Sequence, residues 1–176
     1  AFNEMAGELQ AQFDELQALA EIDKAIVDHC ELDAILAQVA DRLAAIDAGC
    51  TVLIGRFRVG GTAPASCLVR RAGHPSAERR PLDIDRAALM QWFGEVAEHR
   101  LDEVRSLPLD SHALGLDHGL QALSMSLSAH GVCLGFLAVV APGPMDWAES
   151  RRRQLLELRN RATVALSAAN REDRLV

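Results

Sequence analysis

LQALSMSLSAHGVCLGFLAVVA, residues 120–141, decides the fold. Its first half alternates, with Leu123, Met125 and Leu127 on one side and Ser124, Ser126 and Ser128 on the other. A period of two predicts a strand with one apolar face and one face of small polar groups. Ala129-His130-Gly131 then makes a tight turn, and VCLGFLAVVA, 132–141, is apolar throughout. That run predicts a central strand covered on both faces. Two strands joined by so short a turn pair antiparallel. PGPM, 142–145, ends the hairpin.

Outward from this hairpin the same alternation of strands and helices recurs. CTVLIGRFRV, 50–59, is rich in β-branched residues, GGTAP is a turn, and SCLVRRA, 66–72, reads as the returning strand. GHPSAERRP, 73–81, is polar and reads as a loop, RLDEVRSL, 100–107, holds a short strand, and PLDSHALGLDHG, 108–119, is irregular. Between them Asp85 is placed to cap a helix whose buried stripe is Leu89, Trp92, Phe93, Val96 and Ala97. Leu32, Ile35, Leu36, Val39, Leu43 and Ile46 keep the three-four spacing of a core-facing helix, with Gly49 as its stop.

The two ends read as long helices. Phe2, Met5, Leu9, Leu16, Leu19 and Ile26 fall on a heptad seam through residues 2–30, interrupted by the polar Gln12 and Asp23 and flanked by Phe13 and Ile22. Such a helix is about 40 Å long, more than a domain of this size covers. The pattern predicts pairing with a partner helix first and packing on the domain afterwards. From about Trp147 to beyond Asn170, Leu155, Leu158, Ala162, Ala165 and Ala169 form a second heptad-like stripe, which predicts a dimer or relay seam. Both ends read as helices cut in mid-course. Together these elements predict an α+β domain with a central antiparallel sheet flanked by helices.

Bulk properties narrow the function. The chain has 176 residues, 49% of them hydrophobic, enough for one core. No eighteen-residue apolar run occurs, so nothing here is expected to span a membrane. A net charge of −7 opposes binding to phosphate backbones, and the one dense basic run, Arg151 to Arg153, reads as a solvated helix start. Cys30, Cys50, Cys67 and Cys133 form no CxxC pair and no zinc spacing, so reduced buried thiols are expected and no metal.

The ordered set of elements resembles a GAF domain, a PAS-related fold, over residues 31–169. Gly131, Leu134, Gly135 and Leu137 match its G-x-L-G-x-L strand, Ala162, Val164, Ala165 and Leu166 its closing A-x-A-L helix, and DAILAQVADRLAAIDAGCTVLIGRF is typical of its first half. AFNEMAGEL, 1–9, resembles the last turns of a HAMP second helix, and REDRLV, 171–176, is similar to the helix that feeds a GGDEF domain. The resemblances imply three parts: 1–30 as the end of a HAMP-like helix and a coiled-coil linker, 31–169 as the GAF domain, 170–176 as the start of a linker to an output domain. They imply a homodimeric, non-catalytic sensory or relay module of a membrane-anchored protein, on the cytoplasmic side of the bacterial inner membrane. The output implied is synthesis or breakdown of cyclic-di-GMP by GGDEF or EAL domains, with a sensor histidine kinase as the alternative.

No catalytic constellation stands out. Ser106, Asp110, Ser111 and His112 cluster in a loop without triad order, and His112 and His118 have no standard metal spacing. His74-Pro75 resembles the pair near which phytochromes attach bilin, but no cysteine precedes it, which excludes that covalent chromophore. The N-K-x-x-F…D-E pattern of cyclic-nucleotide GAF domains is absent. A rival from another class is the free methionine sulfoxide reductase, a GAF enzyme using loop cysteines. By the GAF resemblance, a small-molecule pocket would be lined by Trp92, His112, His118, Ser124 and Ser126, with the ligand unidentified.

Overall fold

The computed structural model describes residues 1–47, 49–57, 66–82, 86–93, 100–117, 119–142 and 149–175. The elements are α1 (Phe2–Val27), α2 (Leu32–Ile46), β1 (Thr51–Arg56), β2 (Ser66–Arg70), β3 (Glu78–Pro81), α3 (Arg86–Phe93), β4 (Arg100–Glu103), a 3-10 turn (Val104–Ser106), β5 (Gln121–Ala129), β6 (Val132–Ala141) and α4 (Glu149–Leu175). All neighbouring strands pair antiparallel in the order β3-β2-β1-β6-β5-β4. The two expected hairpins thus meet through β1 and β6 at the sheet centre.

The β5–β6 turn is His130-Gly131, both with positive φ (52° and 74°). This two-residue primed turn follows the right-handed twist of its strands. Farther along, Leu134 is the extra residue of a bulge: Leu127 pairs with Gly135 and Ser128 with Cys133. The bulge resets the alternation of β6. Leu134, Leu137, Val139 and Ala141 then face the helices, while Cys133, Phe136, Ala138 and Val140 face the other way. Gly135 and Gly55 are required by crowding. A Cβ on Gly135 would lie 2.0 Å from the Gly55 carbonyl oxygen, and one on Gly55 would lie 2.0 Å from the Phe136 ring.

One core lies between the sheet and α1, α2 and α4. It holds Leu123, Met125 and Leu127 from β5, the stripe Ile35, Leu36, Val39 and Leu43 from α2, and Leu155, Leu158, Ala162 and Ala165 from α4. Those four α4 residues are therefore committed to the chain's own core. As an inter-subunit seam the expectation fails, because the three-four spacing that suggested a partner helix is satisfied by α2 and the sheet. Leu19 is likewise buried inside, with Ile22 and Ala25. The opposite sheet face carries a second core built on Leu53, Val69, Leu114, Phe136 and Val140.

Three readings of the sequence need amendment. Residues 78–81 are strand β3, not loop. An edge strand exposed on both faces has no apolar alternation to betray it, and β3 is held by its ladder to β2 and by the Arg79–Asp33 ion pair to α2. The first helix stops at Val27, not residue 30. There His29 adopts φ 54°, and the Cys30 amide closes on the Ala25 carbonyl at 3.1 Å. The second helix ends on Asp47, whose carboxylate accepts the Gly49 N–H at 3.1 Å, so Gly49 is not itself the stop. Asp85, Val96, Ala97 and Trp147 lie outside the described residues.

Candidate functional site: the α1–α4 helix pair and the second sheet face

Among the described residues, side chains at three levels tie α1 and the turn after it to α4. Gln154 Nε2 donates to Glu15 Oε2 at 3.0 Å, Arg161 Nε lies 3.0 Å from Asp23 Oδ1, and His29 Nδ1 lies 3.4 Å from Glu172 Oε1. Residue numbers climb together on both helices, so α1 and α4 run side by side in the same direction. Glu149 precedes Gln154 by five residues and is level with about residue 10 of α1. The first turns of α1 therefore stand clear of α4 at one end of the domain, and the last turns of α4 lie at the other.

Arg161 is the centre of this arrangement. Its guanidinium also donates to Glu157 Oε2 at 2.7 Å and to Asp23 Oδ2 at 3.2 Å. Burial acts to lower its pKa, but the hydrogen bonds and charges of Glu157 and Asp23 outweigh this and raise it. The guanidinium stays charged at any relevant pH, so the clamp is insensitive to protonation of the base. Asp23, an interruption of the heptad in sequence terms, is with Glu15 a residue through which α1 grips α4.

The outer face of α1 is apolar and uncovered. Phe2 is 84% exposed and Leu16 66%, with Met5, Leu9 and Phe13 between them similarly open. Hydrophobic residues at helical spacing that stay in water over this length form a continuous apolar patch, larger than the scattered exposed residues of an ordinary surface. Two hollows lined by described residues lie on the helical side. One is a groove of about 520 Å³ between α1 and α2, walled by Ile22, Gln38 and Arg42. The other, about 310 Å³, lies beneath the α1–α2 turn among Cys30, Ile35, Arg56, Ala165 and Glu172.

The second sheet face carries the expected pocket residues. Ser124 is buried and Ser126 half-buried on β5, both turned away from the helices, and Trp92 on α3 packs half-buried against the apolar cluster. His112 instead lies exposed on a turn at 110–116, whose inward residues are Leu114 and Leu116. The turn is closed by Asp110 Oδ1 accepting the Ala113 N–H and is pinned to the end of β2 by Arg71, which donates to the Leu114 and Gly115 carbonyls at 2.6 and 3.3 Å. His118 lies outside the described residues. Among the described residues no three His, Cys, Asp or Glu side chains gather as metal ligands, and no helix is long and apolar enough to cross a membrane.

The thiols are mostly withdrawn from chemistry. Burial, then the nearby Asp47 carboxylate, pushes Cys50 up to about 12, and burial pushes Cys67 up to about 12. Cys133 is buried with its thiol 3.4 Å from the Gly135 carbonyl, and only Cys30 is exposed.

This architecture recurs in solved structures. The GAF domain of a phosphoenolpyruvate-protein phosphotransferase from Coxiella burnetii superposes with TM-score 0.58 at 18% identity, over 92% of this chain and 98% of that one. The fold is that of a GAF domain. The phycoerythrobilin-bound GAF domain of a cyanobacterial phytochrome gives 0.60 at 17% identity, over 90% and 97%. The GAF domain of a putative sensor histidine kinase from Pseudomonas syringae pv. tomato gives 0.56 at 14%, over 97% of both chains. No family profile and no curated protein matches the chain. Within the GAF fold, the α1–α4 clamp is what the sequence did not disclose. Its signal was the pair of acidic residues, Glu15 and Asp23, on α1 opposite Gln154 and Arg161 on α4.

Proposed function

We propose that this GAF domain is a non-catalytic sensory or relay module of a dimeric signalling protein, with α1 as its input and α4 as its output. The observation that carries this reading is the clamped parallel pair. A change in α1 at Phe2–Leu9 is handed through Glu15 and Asp23 to Gln154 and Arg161 on α4. Leu155, Leu158, Ala162 and Ala165 then transmit it as a choice between two packings against α2 and the sheet. The homodimer contact is the exposed seam Phe2, Met5, Leu9 and Leu16.

The setting we infer is a HAMP-like segment before this domain, in a membrane-anchored protein facing the bacterial cytoplasm. The output we infer makes or breaks cyclic-di-GMP, on the resemblance of 171–176 to the helix leading into GGDEF domains. Control of a histidine kinase is the second reading, favoured by the likeness to the Pseudomonas syringae domain. Of the four thiols Cys50, Cys67 and Cys133 are buried and Cys30 alone is exposed, so no two accessible thiols stand together, which argues against a sulfoxide reductase.

The test joins the domain to its natural downstream sequence and follows GTP conversion to cyclic-di-GMP and ATP-dependent histidine phosphorylation in parallel. Arg161→Ala should change the output's activity severalfold without unfolding the domain. An output indifferent to Arg161→Ala sinks the relay. Methionine sulfoxide turnover with a thiol reductant would revive the enzyme.

A further inference from the structure

Beneath the α1–α2 turn, the hollow of about 310 Å³ combines apolar walls with charge of both signs. Ile26, Leu32 and Ile35 come to it from α1 and α2, and Ala168 and Ala169 from α4. Ile35 is buried in the helix-side core, while the two alanines are half-buried and carry no side chain long enough to fill the space. Arg56 enters from the last position of β1. Val52 and Ile54 of that strand face the helices, so alternation sends Arg56 to the same side. Glu31 and Glu172 are exposed at the mouth, with His29 Nδ1 3.4 Å from Glu172.

Apolar walls with a few convergent polar groups are the make-up of a small-molecule site. The volume limits the guest. It lies at the lower end of the ~300–1,000 Å³ range of ligand pockets and is about twice the ~150 Å³ of a cavity that accepts benzene. A guest of about ten non-hydrogen atoms fits, and a nucleotide or a tetrapyrrole does not. The charges then fix the guest's polarity. A guanidinium inside matches a carboxylate, which it takes with two parallel N–H donors. The two carboxylates at the mouth match an ammonium. They outnumber the guanidinium, so a guest that is only anionic is disfavoured, and one that is only cationic is repelled by Arg56.

We propose that this hollow binds a free α-amino acid with an apolar side chain. Its carboxylate lies on Arg56, its ammonium between Glu31 and Glu172, and its side chain against Ile35 and Ala168. The site is on the helical side of the sheet, opposite the face that carries Trp92. Its regulatory consequence rests on the relay reading above. An ammonium at the mouth competes with His29 for Glu172 and joins the α1–α2 turn to the last turns of α4, the output end of the helix pair.

The test uses the 176-residue chain and two readouts. Cys30, the one exposed thiol, lines the hollow, so its alkylation by N-ethylmaleimide reports occupancy. Saturating L-leucine or L-phenylalanine should slow that alkylation severalfold, with Cys30→Ser as the blank, and calorimetric titration should give one site per chain. 4-Methylpentanoate lacks the ammonium and leucinamide the carboxylate, and each should bind about tenfold more weakly than leucine or worse. Arg56→Gln should weaken leucine about tenfold and leucinamide hardly at all. Ala168→Leu fills the hollow from the helix surface and should abolish binding while leaving the thermal midpoint unchanged. Leucine that binds without protecting Cys30 and without responding to Ala168→Leu sits elsewhere, which overturns the proposal, as does a chain that takes up neither amino acid. Equal binding of 4-methylpentanoate and leucine overturns the amino-acid assignment. None of these failures touches the relay. Conversely, leucine binding in a protein whose output ignores both leucine and Arg161→Ala leaves the site standing and sinks the relay.

Discussion

Removing the Arg161 side chain tests the coupling of α1 to α4 directly. Arg161→Ala deletes three contacts to carboxylates, two to Asp23 at 3.0 and 3.2 Å and one to Glu157 at 2.7 Å, besides a hydrogen bond within α4 to the Glu157 carbonyl at 3.2 Å. The guanidinium is largely covered, but the Asp23 and Glu157 carboxylates are 53% and 47% exposed and rehydrate once released. Each contact is therefore counted near the value of a surface ion pair, about 0.5 kcal/mol, not that of a buried one. The sum is about 1.5 kcal/mol, or a fall of roughly 3–6 °C in Tm for a chain of this length. The decisive quantity is the interaction between helices. A double-mutant cycle of Arg161→Ala with Asp23→Ala, read by urea unfolding, should give a coupling of about 0.5–1 kcal/mol. The same cycle on Arg80 and Glu78, two residues apart on edge strand β3, should give less than about 0.3 kcal/mol. High salt should weaken both. A coupling at Arg161–Asp23 no larger than that at Arg80–Glu78 would refute the clamp.

Gly135→Ala forces a Cβ into the Gly55 carbonyl, which as backbone cannot rotate aside, and should cost about 2–3 kcal/mol in urea unfolding. A loss under about 0.5 kcal/mol would mean that β1 and β6 do not approach so closely. Cys50 and Cys67 keep their protons when folded up to about pH 12, whereas in the unfolded chain they ionise near the ordinary value of 9.0. Their contribution to stability is thus complete below pH 9 and is lost as pH rises toward 12. Urea midpoints should fall over that interval, and less so in a Cys50→Ala, Cys67→Ala chain. His29→Gly relieves a left-handed backbone at the α1–α2 turn and should raise stability by about 0.5 kcal/mol despite the lost Glu172 contact, as measured by thermal unfolding.

The sheet was legible where burial differs between faces. Leu123, Met125 and Leu127 announce β5 because only one of its faces meets the helices. β3 was hidden because Glu78 to Pro81 bury neither face, so its ladder to β2 and the Arg79–Asp33 ion pair hold the strand without an apolar pattern. A bulge is invisible to periodicity in a run as uniformly apolar as β6, and only its pairing exposes Leu134 as the extra residue. The α4 stripe was legible as apolar but not as to its partner: the spacing that serves a coiled coil also serves a core. At the candidate pocket, Ser124 and Ser126 follow from alternation, whereas the outward turn of His112 depends on Arg71 holding the 110–116 turn. That contact spans 43 residues and leaves no local trace.

The parallel course of α1 and α4 has a geometric consequence for anything joined to this domain. A helix advances about 1.5 Å and turns about 100° with each residue, so one residue inserted in α4 beyond the Arg161 contacts swings a downstream partner through more than a quarter turn. Seven residues bring it back to within about 20°. Chimaeras spliced beyond Glu172 should therefore regain regulation at a seven-residue beat, with the intervening lengths locked on or off.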